Sequence, residues 1–133
     1  MKKLTIASSL DKIFPDSKEI CKLESLSMLK NEKKAFQIAF RAEKGESISL
    51  ILHSALSEYL HFSKIKMIKG GFDRAKNADD YYLEKREYYP DLLEPIDITD
   101  FTADYDGLNA VWVQISGASL PAGNHEICVQ LGE

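Results

Sequence analysis

Along this chain apolar residues recur at every second position in short runs, the spacing that lines up side chains on one face of a β-strand. The cleanest run spans residues 35–43, where Phe36, Ile38 and Phe40 alternate with Gln37, Ala39 and Arg41. Two further runs stand near the end. In residues 108–115, Val111, Val113 and Ile115 share one phase and Trp112 and Gln114 the other, and in 125–131 the period is repeated by Ile127, Val129 and Leu131. Between them lie Gly117, Pro121, Gly123 and Asn124, residues that turn a chain or cannot continue a ladder, so the two arms are expected to pair as a hairpin with a longish loop. Trp112, the single tryptophan, is placed in the core of that hairpin's sheet, together with Phe36, Ile38, Phe40 and Val113.

The remaining pattern is of the same kind. Residues 4–8 alternate weakly and end at the turn cluster Phe14-Pro15-Asp16-Ser17. Residues 21–29 start with period two and slip by one, which suits a bulged strand or a helix. A polar corner at 31–34 precedes the clean run, and a hairpin turn at 43–46 follows it, leading to a strand over 47–53 with Ile48, Leu50 and Leu52 on one face. In 59–69, Leu60 and Phe62 share one phase but Ile65 and Met67 the other, so a bulge or break is expected near Ser63-Lys64, and Lys64, Lys66 and Lys69 read as a solvated, edge-blunting set. Residues 70–80 read as an exposed loop or helical turn. In 88–95, Pro90 and Pro95 should end any ladder and leave an ordered, extended loop, and 96–107 should be an acidic loop. Seven to nine short strands separated by turns predict an all-β chain, an antiparallel β-sandwich of immunoglobulin-like or jelly-roll-like form, with a small closed barrel as the alternative.

Composition narrows this little. With 133 residues, 44% hydrophobic and 29% charged, residues 1–133 make one domain able to bury a core without disulfides or metal. No run approaches the roughly 20 apolar residues of a helical membrane span, so no membrane partner is expected. Residues 4–10 are too short and polar for a signal sequence, which points to a cytoplasmic chain, or to a secreted one whose leader has been removed. A net charge of −4 offers no electrostatic footprint for nucleic acid. Cys21 and Cys128 lie outside any Cys-x-x-Cys spacing and are expected as buried free thiols.

The chemistry-bearing residues form no catalytic signature. His53, His61 and His125 lack metal-type spacing, and Asp97, Asp100, Asp104 and Asp106 lack the order of a calcium loop, so neither metal nor cofactor is expected. No Gly-x-Ser-x-Gly elbow occurs, and no pair of carboxylates is singled out for glycosidase work. The tyrosines are more telling: Tyr81, Tyr82, Tyr88, Tyr89 and Tyr105 gather around two loops, where they can pack on a partner domain or stack on the apolar face of a sugar ring.

Three segments, Asn31-Glu32-Lys33-Lys34-Ala35-Phe36-Gln37, Tyr88-Tyr89-Pro90-Asp91-Leu92-Leu93-Glu94-Pro95, and Val111-Trp112-Val113-Gln114-Ile115 with Pro121-Ala122-Gly123, carry a resemblance. In order and approximate spacing they resemble the amino-terminal β-sandwich domain of bacterial glycoside hydrolases of the family 123 β-N-acetylgalactosaminidase type. The chain departs from that pattern in its last segment, with His125 and Ile127 where the family has Tyr and a second Gly. The resemblance implies a non-catalytic accessory domain, excised from a longer enzyme, that packs against and orients a catalytic (β/α) barrel in the same polypeptide; the family's catalytic acidic pair lies in that barrel and has no counterpart here. It leaves Tyr81, Tyr82, Tyr88, Tyr89, Asp91, Leu92 and Leu93 as contact residues, for the barrel or, if the domain is a carbohydrate-binding module, for an oligosaccharide.

Overall fold

A computed structural model describes residues 3–70 and 87–132. Among them run nine strands: β1 (Leu4–Ser8), β2 (Lys33–Ala42), β3 (Ser47–Ile48), β4 (Leu50–His53), β5 (Leu60–Lys69), β6 (Tyr88–Pro95), β7 (Phe101–Thr102), β8 (Gly107–Ser116) and β9 (Cys128–Leu131), with a single 3₁₀ turn at Ser57–Tyr59. All pairings are antiparallel. One layer is a five-stranded sheet in the order β1-β2-β8-β5-β6. The other is built from two ribbons, β3-β7 and β4-β9, that share the nearly continuous segment 47–53 as their middle. The Leu50 N–H donates to Ile98 O at 2.7 Å on one side of that segment, and the Gly132 N–H to Ser49 O at 2.7 Å on the other. The result is an antiparallel β-sandwich, as the pattern predicts.

The core explains the arrangement. Phe36, Ile38 and Phe40 of β2 and Val111, Val113 and Ile115 of β8 face the same way, register Phe36↔Val113 and Ile38↔Val111, and meet Ile48, Leu50 and Phe101 from the ribbons. The opposite face of the large sheet is apolar too: Ala7, Ala39, Ile65, Leu108 and Ala110 pack under Ile13 from the segment that follows β1. Gln37, buried on that face, holds the segment in place by donating through Nε2 to Ser8 O and Asp11 O, at 2.8 and 2.7 Å. At Gly107 the same segment comes so close that a Cβ would lie 2.3 Å from Pro15 O, and φ there is +101°, so only glycine fits.

Several expectations are corrected. Residues 108–115 and 125–131 do not pair with each other. β8 lies between β2 and β5 in the large sheet and β9 beside β4 in the other layer, the loop having crossed from one sheet to the other. Trp112 is half-buried on the outer face, against the smaller cluster with Ala110 and Leu108, and not between the layers, whereas Phe36, Ile38, Phe40 and Val113 are buried in the main core. Residues 43–46 turn the chain out of the large sheet into the ribbons; they join no hairpin, since β2 and β3 are unpaired. The phase change in β5 needs no break at Ser63-Lys64, because Leu60 and Phe62 feed one core and Ile65 the other; the irregularity comes later, between Lys66 and Ile68. Residues 21–29 are neither strand nor helix. Residues 88–95 form the edge strand β6 despite both prolines: Pro90 falls in the irregular stretch and Pro95 at the strand end, where a missing N–H costs no ladder bond. The acidic loop contains the short strand β7. The loop or turn expected over 70–80 lies, beyond Gly70, outside the described residues.

Candidate functional site

The residues expected to make contacts converge on the β5–β6 edge. Tyr88 is 50% exposed, Leu92 46%, Leu93 45%, and Ile68 of β5 39%, so four large apolar side chains stand in solvent along one hairpin edge. The register Lys66↔Leu92 and Ile65↔Leu93 puts the two leucines on opposite faces, which makes the edge apolar on both sides. Tyr89 is turned inward instead, its ring edge-on to Phe14 with centroids 6.2 Å apart, and Asp91 pairs with Lys12. Both contacts tie β6 to the segment after β1. Tyr81 and Tyr82 lie outside the described residues.

A charge cluster stiffens this edge. Lys64, whose side chain is only 17% exposed, reaches Asp104 at 3.2 Å and Glu94 at 3.6 Å, and Lys66 reaches Glu94 at 3.3 Å. The hydrogen bond to Glu94, with the nearby Asp104 charge, raises the Lys66 pKa, and the Lys66 partner lowers that of Glu94. Asp97 is lowered as well, by the N–H and hydroxyl of Thr99. The expected solvated lysine set is therefore partly a salt-bridged one, although Lys69, paired with Glu87, remains exposed. Asp104 belongs to this cluster, Asp100 accepts from the Ser47 hydroxyl and Asp106 from the Lys44 N–H, so the acidic residues of the loop are engaged separately. No cluster of three or more His, Cys, Asp or Glu side chains suited to a metal occurs among the described residues.

The histidines stand at exposed positions, and His125 Nε2 is hydrogen-bonded to Pro121 O at 2.8 Å. Cys21 and Cys128 are free but exposed, which corrects the expectation of buried thiols: Cys21 lies in irregular chain and Cys128 on the outward phase of β9.

Sequence reasoning missed a second feature, an open cavity of about 870 Å³ at the other side of the sandwich. Its floor is Ile6, Phe36 and Ile115, one wall is the irregular chain 23–30, and the other is formed by the loop after β8 with Ile127 and Val129. Period two in Ile127 and Val129 and its broken form in 21–29 signalled strands, and Phe36 was expected as core, but nothing in these patterns brings the three together around a space.

No protein family's sequence profile matches the chain, and no curated protein matches it either.

Proposed function

We propose that this β-sandwich is a non-catalytic accessory domain that docks through its β5–β6 edge on a carbohydrate-active catalytic domain of the same polypeptide. The observation that carries the docking is the apolar edge itself: Ile68, Tyr88, Leu92 and Leu93 stand in water along it, shared between its two faces, where a partner that wraps the edge can cover them. Pro90 and Pro95 remove two main-chain donors from β6 and blunt it against strand addition, so these side chains are the means of docking. The identity of the partner rests on the resemblance to the glycoside hydrolase domain. Among the described residues, the carboxyls of Glu94 and Asp97 are shifted downward, away from the raised pKa that a general acid needs. A sugar platform needs several open rings, and of the described tyrosines Tyr88 alone is exposed, Tyr59, Tyr89 and Tyr105 being half-buried.

Joining the chain to the sequence that follows it in its gene tests the reading. The domain should then melt several degrees higher, and Leu93→Glu should remove that gain without lowering the melting temperature of the isolated chain. An unchanged melting temperature sinks the docking role. Saturable calorimetric binding of N-acetylhexosamine oligosaccharides by the isolated chain, lost in Tyr88→Ala, would instead make it a carbohydrate-binding module.

A further inference from the structure

The cavity on the far side of the sandwich has the dimensions and the hydrogen-bonding edge of a vacant strand position. Strands lie about 4.8 Å apart, so the five-stranded sheet is about 19 Å across and the facing three-strand layer only about 10 Å. Over β1 and β2 that layer stops at β9, and the cavity begins there, above Ile6 and Phe36. Chain 23–30 forms the outer wall, tied to β1 by the Leu23 N–H to Ile6 O bond at 2.8 Å, with Leu23 and Met28 packed on the margin of the main core.

The open edge of β9 is chemically defined. In an antiparallel ladder the hydrogen-bonded pairs alternate with non-bonded ones. Because the Gly132 N–H donates to Ser49 O, the bonded pairs continue as Ile51/Gln130 and His53/Cys128, and the intervening residues turn their main-chain groups away from β4. Those residues are Leu131, Val129 and, one step before the strand, Ile127. β9 has no strand on that side among the described residues. Val129 and Ile127 also line the cavity, so unpaired main-chain groups and an apolar floor face the same space. A volume of about 870 Å³ is that of a ligand site; its floor offers aliphatic groups and one phenyl ring, and the polar residues of the lining, Glu24, Lys30 and His125 among them, belong to its walls.

We propose that this cavity receives an extended segment of another polypeptide, which adds to β9 as a strand along Ile127 and Val129 and buries alternate apolar side chains against Ile6, Phe36 and Ile115. The main chain of the incoming segment supplies the donors and acceptors that β9 lacks, and an alternating apolar pattern fills the floor, the mode of recognition known as β-strand addition. A globular partner cannot enter, because the loop wall is fixed: Tyr59 OH donates to Ser119 O, the Ser54 hydroxyl to Glu126 O, and the Gly117 N–H to Glu32 O. The site lies at the opposite edge of the large sheet from β6 and is independent of the docking edge there.

The probe is the acetylated, amidated heptapeptide KVTVTVK, titrated into the ¹⁵N-labelled 133-residue chain. Saturable shifts should centre on Ile127 and Val129, and at saturation the exchange of those two amides should slow by about tenfold or more, while Cys128 and Gln130, already bonded to β4, change little. The same peptide with its central valine N-methylated should bind at least about tenfold more weakly, since one edge bond is gone. Val129→Pro, which removes an outward N–H and leaves the β4 ladder intact, should lower affinity in a chain whose melt shows it folded. Absence of shifts at millimolar peptide overturns the proposal. So do shifts centred on Ile68, Tyr88 and Leu92, or equal binding of the N-methylated peptide.

Discussion

The Tyr105 hydroxyl accepts the backbone N–H of Met67 at 2.7 Å, three residues past the last β5–β8 pair, Lys64↔Val111. Where the two strands part, the tyrosine substitutes for a missing neighbour. Its own position is fixed by Asn109, buried in β8, whose Nδ2 donates to Tyr105 O at 2.8 Å and whose Oδ1 accepts the Tyr105 N–H at 3.2 Å.

Tyr105→Phe should therefore destabilise the domain by about 1 kcal/mol, the low end of the cost of an orphaned donor because the site is only partly buried. Urea denaturation measures it. Met67 amide exchange should accelerate in the same variant, which a mere loss of packing would not single out.

Gly107→Ala should be among the most damaging small substitutions. It meets a carbonyl oxygen at 2.3 Å and places a side chain at φ +101°, strain that alone costs about 1–3 kcal/mol. Gly45, at φ +87° with nothing within 4 Å, is the control, and Gly45→Ala should cost only about 1–2 kcal/mol. Equal melting temperatures for the two variants would contradict the close approach of Pro15.

Phe40→Ala should cost about 3–5 kcal/mol, for Phe40 is 1% exposed and its ring is edge-on to Phe101 at 6.1 Å. Trp112→Ala should cost clearly less, since half-burial on the outer face leaves a smaller void. The reverse order would return Trp112 to the centre of the core.

The Glu94–Lys66 pair predicts two pH limits. Glu94 is lowered from 4.5, so its contribution is complete above 4.5 and is lost as pH falls through the lower folded-state pKa. Lys66 is raised from 10.5, so its share is complete below 10.5 and is lost as pH rises through the higher folded-state value. Glu94→Gln should flatten both limbs of the stability profile, and high salt should weaken them, the pair being exposed.

Strand positions were legible in the sequence because period two survives wherever one face is buried; β1, β2, β5 and β8 fall within a few residues of their expected places. Strand partners were not. In β8 both phases are buried, Ala110 beside Val111, so alternation could not tell which face Trp112 takes. The arms at 108–115 and 125–131 carry hairpin-like turn residues between them, yet Gly117, Pro121 and Gly123 serve equally to carry a chain from one sheet to the other. Of the contact residues, Tyr88, Leu92 and Leu93 stand exposed where they were expected to be available, but Tyr89 and Asp91 are occupied by Phe14 and Lys12, partners more than seventy residues away that no local pattern announces.

The order of the large sheet constrains how the protein is born. β8 is the middle strand, with β2 on one side and β5 on the other, and it is also the next-to-last to be synthesised. On the ribosome, β1 and β2 can pair early, and β5 can meet β6, but these two ribbons have no common neighbour until residue 116 has emerged. Until then each exposes a strand edge flanked by Phe36, Ile38 and Phe40 or by Leu60 and Phe62, surfaces prone to wrong pairing. Closure is a single late event that joins segments about seventy residues apart, so refolding should be slow for a chain of this size, on the order of milliseconds to seconds, with aggregation as its competitor.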